Sequence, residues 1–223
     1  MANYYEGMKL KDVTKPEYRH IFFFLFWVAY FSLYALVESP LFSEYHVIHT
    51  ALDDVIPFCE FFIIPYVLWY LLLAFVSLYT FFFDITAFKK FYKFLIATCI
   101  ITFAIYFIYP NYQDLRPTEY PRDNIFTDIV KYLHGFDTNT NVFPSMHVIF
   151  SVGMLFTMWS VKPFNNVWGR LVSTILAISI CLATVCLKQH SILDVYSGIG
   201  LSLVFFPFIY LDFKGKNKKI KKE

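Results

Sequence analysis

Residues Phe61–Phe83, FFIIPYVLWYLLLAFVSLYTFFF, run without a charge from Glu60 to Asp84. A lipid-crossing helix needs roughly 20 mostly apolar residues, so this stretch reads as a membrane span. Working outward, charge-poor runs of similar character recur at Ile21–Val37, Phe94–Gln113, Val142–Val161, Leu171–Leu187 and Val195–Leu211. The composition agrees. The 223-residue chain is 58% hydrophobic and only 16% charged, against about a quarter charged in soluble domains. The expected fold is an all-α bundle of six transmembrane helices. It divides into residues 1–20 before the first span, a six-span domain over 21–212, and a Lys-rich tail over 213–223.

Lys and Arg orient the bundle. Lys9, Lys11, Lys15 and Arg19 precede the first span, and Lys89, Lys90 and Lys93 separate the second from the third. Lys162 and Arg170 separate the fourth from the fifth, and six lysines follow the sixth. An even number of spans puts all four groups on one side, so the positive-inside rule makes both termini cytoplasmic. The other side then carries Glu38–Glu60, the long 110–141 loop and the short 188–194 turn. Arg116, Arg122, Lys131 and Lys188 also fall there and need another explanation. Leu41–Phe58, mixed polar and apolar, reads as an interfacial or short re-entrant helix on the outer face. The first ten residues lack an apolar core, so no signal peptide is expected.

A formal net charge of +2 with no basic stripe gives no reason to expect nucleic acid. Cys59, Cys99, Cys181 and Cys186 lack metal-ligand or CxxC spacing, and the three in apolar stretches read as packing residues. His20, His46, His49 and His134 read as interfacial histidines.

Three polar clusters remain, all on the non-cytoplasmic side: Leu115-Arg116-Pro117, Phe143-Pro144-Ser145-Met146-His147 and Lys188-Gln189-His190-Ser191-Ile192-Leu193-Asp194. Polar groups at membrane depth are costly and point to function. His190 and Asp194 are four apart, so a helix starting near His190 puts them on one face. The carboxylate can then hold Nδ1–H and leave Nε2 as base or nucleophile. The alternative is an ordinary helix-start charge pair. Pro144 and Ser145 suit a helix start whose free N–H groups bind an anion, with His147 one turn below as a proton donor. Arg116 offers a planar fork for phosphate oxygens, and Lys188 a point charge beside His190. Two histidines, one carboxylate and two cations suit a phosphoryl group. They make a poor site for a hard metal, and no cofactor is expected.

These blocks resemble the signature of the type 2 phosphatidic acid phosphatase superfamily, membrane branch, whose pattern is K-x6-RP, PSGH and SR-x5-H-x3-D. Here the matching residues are Arg116-Pro117, Pro144-Ser145-Met146-His147 and His190-x3-Asp194. The resemblance implies a six-helix bundle with its site at the outer face. His190 would be the nucleophile, Asp194 its orienting partner, His147 the general acid, and Arg116 and Ser145 phosphate binders. Three positions depart: Tyr109 and Thr184 stand where the pattern has Lys and Arg, and Met146 where it has Gly. Lys188 is the candidate to replace one missing cation.

The leading functional expectation is metal-independent hydrolysis of a lipid phosphate or polyprenyl diphosphate through a phosphohistidine. The substrate would be a membrane lipid, and the site would face outward from the plasma membrane. One alternative is a lipid phosphotransferase passing the phospho-headgroup to an alcohol, as in sphingomyelin synthase-like or inositol phosphorylceramide synthase-like relatives. Another is a non-catalytic membrane protein of the same fold.

Overall fold

The computed structural model describes residues 4–39 and 41–211, and the expected Lys-rich tail at 213–223 lies outside them. The chain is helical. In order come α1 (Leu25–Val37), α2 (Ala51–Val55), α3 (Ile63–Phe83), α4 (Ile85–Ile108), α5 (Ile125–Phe136), α6 (Met146–Ser160), α7 (Val167–Cys186) and α8 (Ile192–Tyr210). The 3-10 turns Arg19–Phe24 and Glu60–Phe62 lead into α1 and α3. Five helical stretches are long and apolar enough to cross a membrane: Arg19–Val37, Glu60–Phe83, Ile85–Ile108, Val167–Cys186 and Ile192–Tyr210. The sixth apolar helix, α6, has 15 residues.

Helix α6 is the axis of the bundle and packs against α3, α4, α7 and α8. Its buried Ile149, Phe150 and Met154 cluster with Phe91, Phe94 and Phe103 of α4, and Val148 with Val185 of α7 and Val195 of α8. Lipid is as apolar as these side chains, so close packing rather than exclusion from water must join the helices. Two glycines permit the approach. A Cβ at Gly153 would come within 2.7 Å of the Phe94 ring, and one at Gly198 would meet the Ser145 carbonyl at 3.0 Å. Several hydroxyls inside the spans return to their own helix, which avoids unpaired donors in hydrocarbon. Thr98 Oγ1 donates to the Phe94 carbonyl at 2.8 Å, and Ser202 Oγ to that of Gly198 at 2.7 Å.

Several boundaries differ from the sequence reading. The third apolar run begins as α4 at Ile85, so Lys89, Lys90 and Lys93 sit inside its first turns. Asp84 starts it early by accepting the Ala87 N–H at 2.9 Å. The expected outer-face helix at Leu41–Phe58 is instead a two-residue strand, β1 (His46–Val47), and the five-residue α2. β1 pairs in parallel with β2 (Asn111–Tyr112), His46 opposite Asn111. An amphipathic helix is present instead as α5, within the stretch read as a loop. Ile125, Ile129, Tyr132 and Phe136 form an exposed apolar stripe along it.

The basic residues that strained the orientation rule all have partners. Arg122 forms a forked pair with Glu60 at 2.5 and 2.6 Å, and Lys131 lies near Asp123 and Asp128. Arg116 and Lys188 bind backbone carbonyls, as described next.

Candidate active site

The site begins where α7 ends. Lys188, with φ +58°, turns the chain back, and the Thr184 carbonyl accepts the N–H groups of Gln189 and His190, each at 3.0 Å. A non-glycine residue in that left-handed region costs roughly 1–2 kcal/mol. Contacts of the turn offset it: the Lys188 ammonium donates to the carbonyls of Asp53 at 2.6 Å and Ile56 at 2.5 Å. Thr184, where the superfamily pattern has Arg, is fully buried and spends its hydroxyl on the Cys181 carbonyl.

Helix α8 starts at Ile192, two residues later than a shared His190–Asp194 face requires. The two side chains meet for a different reason. Ser191 is the N-cap and Asp194 the third helical residue, and they form a capping box. The Asp194 carboxylate therefore reaches back, with Oδ2 accepting the Ser191 N–H at 2.9 Å and lying 3.1 Å from His190 Nδ1. Its Oδ1 is buried with no partner among the described residues.

A second carboxylate, which the sequence reading did not single out, braces this turn. Asp53 of α2 accepts the Ser191 hydroxyl at 2.6 Å and the Ile192 N–H at 2.8 Å. Burial pushes the Asp53 carboxyl up, but bonds from Ser191, Ile192 and Thr50 together outweigh it and hold it below the ordinary value. Its signal was legible in Thr50-Ala51-Leu52-Asp53, which forms its own capping box.

The start of α6 faces this turn. Ser145, fully buried, is the N-cap: its hydroxyl accepts the Val148 N–H, and its own N–H donates to the Asp194 carbonyl at 3.1 Å. Pro144 thus precedes the cap instead of occupying the first turn. The His147 ring makes no hydrogen bond among the described residues. It lies between the rings of Trp69 (centroids 4.6 Å apart) and Tyr66 (4.9 Å), and 5.7 Å from the His190 ring. Both histidines line a cavity of about 40 Å³ that also touches Tyr106, Asp137, Met146 and Gln189.

Arg116 stands one residue behind the histidines. Its guanidinium donates to the carbonyls of His134, Asp137 and Thr138 and to Gln189 Oε1, at 2.6–2.9 Å. Lys188 is directed away. Its ammonium lines a separate cleft with His49, Asp54 and Asp114, so the structure corrects its placement beside His190. Nor does a cation appear at position 109, where Tyr109 stacks on His46.

Two buried amides, also unread in the sequence, join the three clusters. Asn111 accepts the N–H groups of Val142 and Phe143 and donates to the Tyr109 and Phe143 carbonyls. Gln113 donates to the Lys188 carbonyl at 2.9 Å and accepts the Leu115 N–H at 2.6 Å. An Asn or Gln in a polar loop carries no distinguishing signal until its partners are known.

The model of the PAP2 superfamily matches residues 110–218, a stretch that contains all three clusters. Residues 110–218 belong to the PAP2 superfamily. Members of that superfamily are generally phosphatases or phosphotransferases, and with the apolar helices the match suggests phosphatase-type phosphoryl transfer in a membrane protein. No curated protein and no solved structure matches the chain.

Proposed function

We propose that the chain cleaves a lipid phosphate ester or polyprenyl diphosphate through a phosphohistidine at the outer membrane face. The observation that carries this reading is the facing pair: His190, with Nδ1 3.1 Å from Asp194, opposite His147 across one cavity. His190 Nε2 attacks phosphorus as the bond to the lipid oxygen breaks, and His147 gives that oxygen its proton. Water then attacks phosphorus, His147 takes the water proton, and the N–P bond breaks to release phosphate. Nothing in these steps calls for a metal. Arg116, through Gln189 and its remaining N–H groups, supports the phosphate end, and the Ser145 cap fixes the approach of α6.

In this reading α6 is the fourth of six spans. At 15 residues it is roughly 22 Å long, shorter than the hydrocarbon core. That length suits a helix whose polar start is buried in protein below the outer surface. Lys90 donates to the Tyr210 carbonyl, so the start of α4 and the end of α8 share the end opposite the histidines. Positive residues at that end favour cytoplasmic termini and an outward-facing site.

Transfer to a second alcohol is the alternative, and one observation favours it. A cavity of about 210 Å³ adjoins the first and shares His147, leaving room for an acceptor beside the phosphohistidine. The test is product analysis by mass spectrometry, with the protein in lipid vesicles beside His190→Ala. Free phosphate independent of acceptor is the outcome expected of hydrolysis, and a new phospholipid that needs an acceptor is the outcome of transfer. Wild-type turnover by His190→Ala would overturn both.

A further inference from the structure

The larger cavity has a chemistry of its own. Its walls are the aromatic faces of Trp27, Tyr30 and Tyr34 from α1 and Trp69 and Tyr70 from α3, and its single carboxylate is Asp137. Asp137 follows the C-terminus of α5, where the helix dipole disfavours negative charge. The Tyr34 hydroxyl at 2.7 Å and the Tyr66 hydroxyl at 3.4 Å account for only part of what a carboxylate can accept. Behind the cavity wall, Glu38 accepts the hydroxyls of Thr138 and Thr140, so a second acid stands near Asp137 against the guanidinium of Arg116. With Tyr109 and Thr184 in place of cations, a doubly charged phosphate monoester would meet net repulsion here. A headgroup carrying its own positive charge would not.

The geometry points to this cavity as the seat of a quaternary ammonium group, which makes the substrate a choline-type phosphodiester lipid. This rests on the phosphoryl-transfer reading above and narrows it: the diglyceride oxygen leaves with a proton from His147, phosphocholine stays on His190, and water or an alcohol then takes phosphocholine whole. Aromatic faces attract a cation through their negative quadrupoles, and a trimethylammonium has no N–H groups that such walls would leave unpaired. His147 belongs to both cavities, so phosphorus near His190 and nitrogen among the rings fit the two-carbon bridge of a choline ester. The cavity reaches the lipid-facing surface: Phe31, Tyr70 and Phe136 in its wall are 61%, 50% and 80% exposed. The ester is therefore expected to arrive from the bilayer and not from water.

The test is binding without turnover. Full-length His190→Ala, in a maltoside detergent, is titrated with tetramethylammonium, phosphocholine, glycerol phosphate and dihexanoyl phosphatidylcholine while tryptophan fluorescence is followed. The expected result is saturable quenching by the first two and by the lipid, tightest for the lipid, with none from glycerol phosphate. Adding Asp137→Asn should weaken choline binding at least tenfold. No response to tetramethylammonium, or equal responses to all phosphates, would overturn the assignment. So would Asp137→Asn that folds and binds as before. Free phosphocholine binding more tightly than the lipid would overturn the bilayer route. A phosphohistidine formed from phosphatidic acid without choline binding would sink this inference alone, and choline-lipid binding without any phosphohistidine would sink the reading beneath it.

Discussion

The starts of α6 and α8 both present a histidine to one cavity, yet hold it by opposite means. His190 sits in a polar frame: Asp194 on its ring, Thr184 on its N–H, and Asp53 bracing the next two residues. His147 touches rings alone, those of Trp69 and Tyr66. A hydrogen-bonded imidazole has a fixed tautomer, which suits a nucleophile that must present one nitrogen. A ring held by packing keeps both nitrogens free, which suits a group that gives and takes a proton in successive steps. Under the proposed mechanism this difference matches the two roles, which residue type alone cannot separate.

The strongest way to break that contrast is kinetic. His190→Ala should cut turnover at least about a thousandfold and abolish the acid-labile phosphoenzyme. His147→Ala should cost roughly 10²–10⁴-fold with a lipid alcohol as leaving group, and far less with a nitrophenolate that needs no proton. Equal losses with both leaving groups would remove the acid role from His147.

Next in size is the brace. Asp53→Ala leaves the Ser191 hydroxyl and the Ile192 N–H without their acceptor, which should cost about 1–3 kcal/mol of stability. A fall in Tm with KM nearly unchanged is the expected pattern. A large loss of kcat at unchanged Tm would instead make Asp53 part of the chemistry and end the contrast between frame and site.

How much of this was legible depended on the physics of each signal. Membrane spans announce themselves by missing charge, so α3, α7 and α8 follow from the sequence to within a few residues. Helix α5 was hidden because its exposed stripe is broken by Asp128 and Lys131, and its polar flanks read as loop. The histidines and Asp194 were found through their spacing, although the capping box, not a shared helix face, brings them together. Asp137 gave no warning: its place depends on Tyr34 and Tyr66, which arrive from two other helices. The partners of the cations were hidden for the same reason, since a Lys or Arg in sequence shows its charge but not the carbonyls it binds.

A third histidine offers a pH probe of the site's edge. His134 of α5 is pulled down to about 4, chiefly by burial and then by Arg116, and its ring lies 2.9 Å from the Leu187 carbonyl and 2.8 Å from the Tyr120 hydroxyl. Its folded value lies below the unfolded value of about 6.5, so the stability it contributes is complete above that pH. It is lost as pH falls from there through about 4. Tm should drop over that window, less steeply in His134→Gln, whose amide can serve both partners. The same slope in both proteins would mean that another group governs acid unfolding.

The smallest expected effect is the most direct check on the cations. Lys188 was the residue placed to replace a missing phosphate ligand, yet its ammonium lies on the Asp53 and Ile56 carbonyls. Lys188→Met keeps most of the stem and deletes the charge. If the ammonium only ties the turn to α2, the variant should lose about 1 kcal/mol of stability while KM and kcat stay within about twofold. A tenfold rise in KM at unchanged Tm would put the charge back at the phosphate, and would mean that the turn rearranges when lipid binds. Between those outcomes lies a physical choice about the whole site. A pocket served by Arg116 alone and edged by Asp137 and Glu38 is matched to a headgroup of low net charge, whereas a mobile Lys188 would let it accept a phosphate monoester.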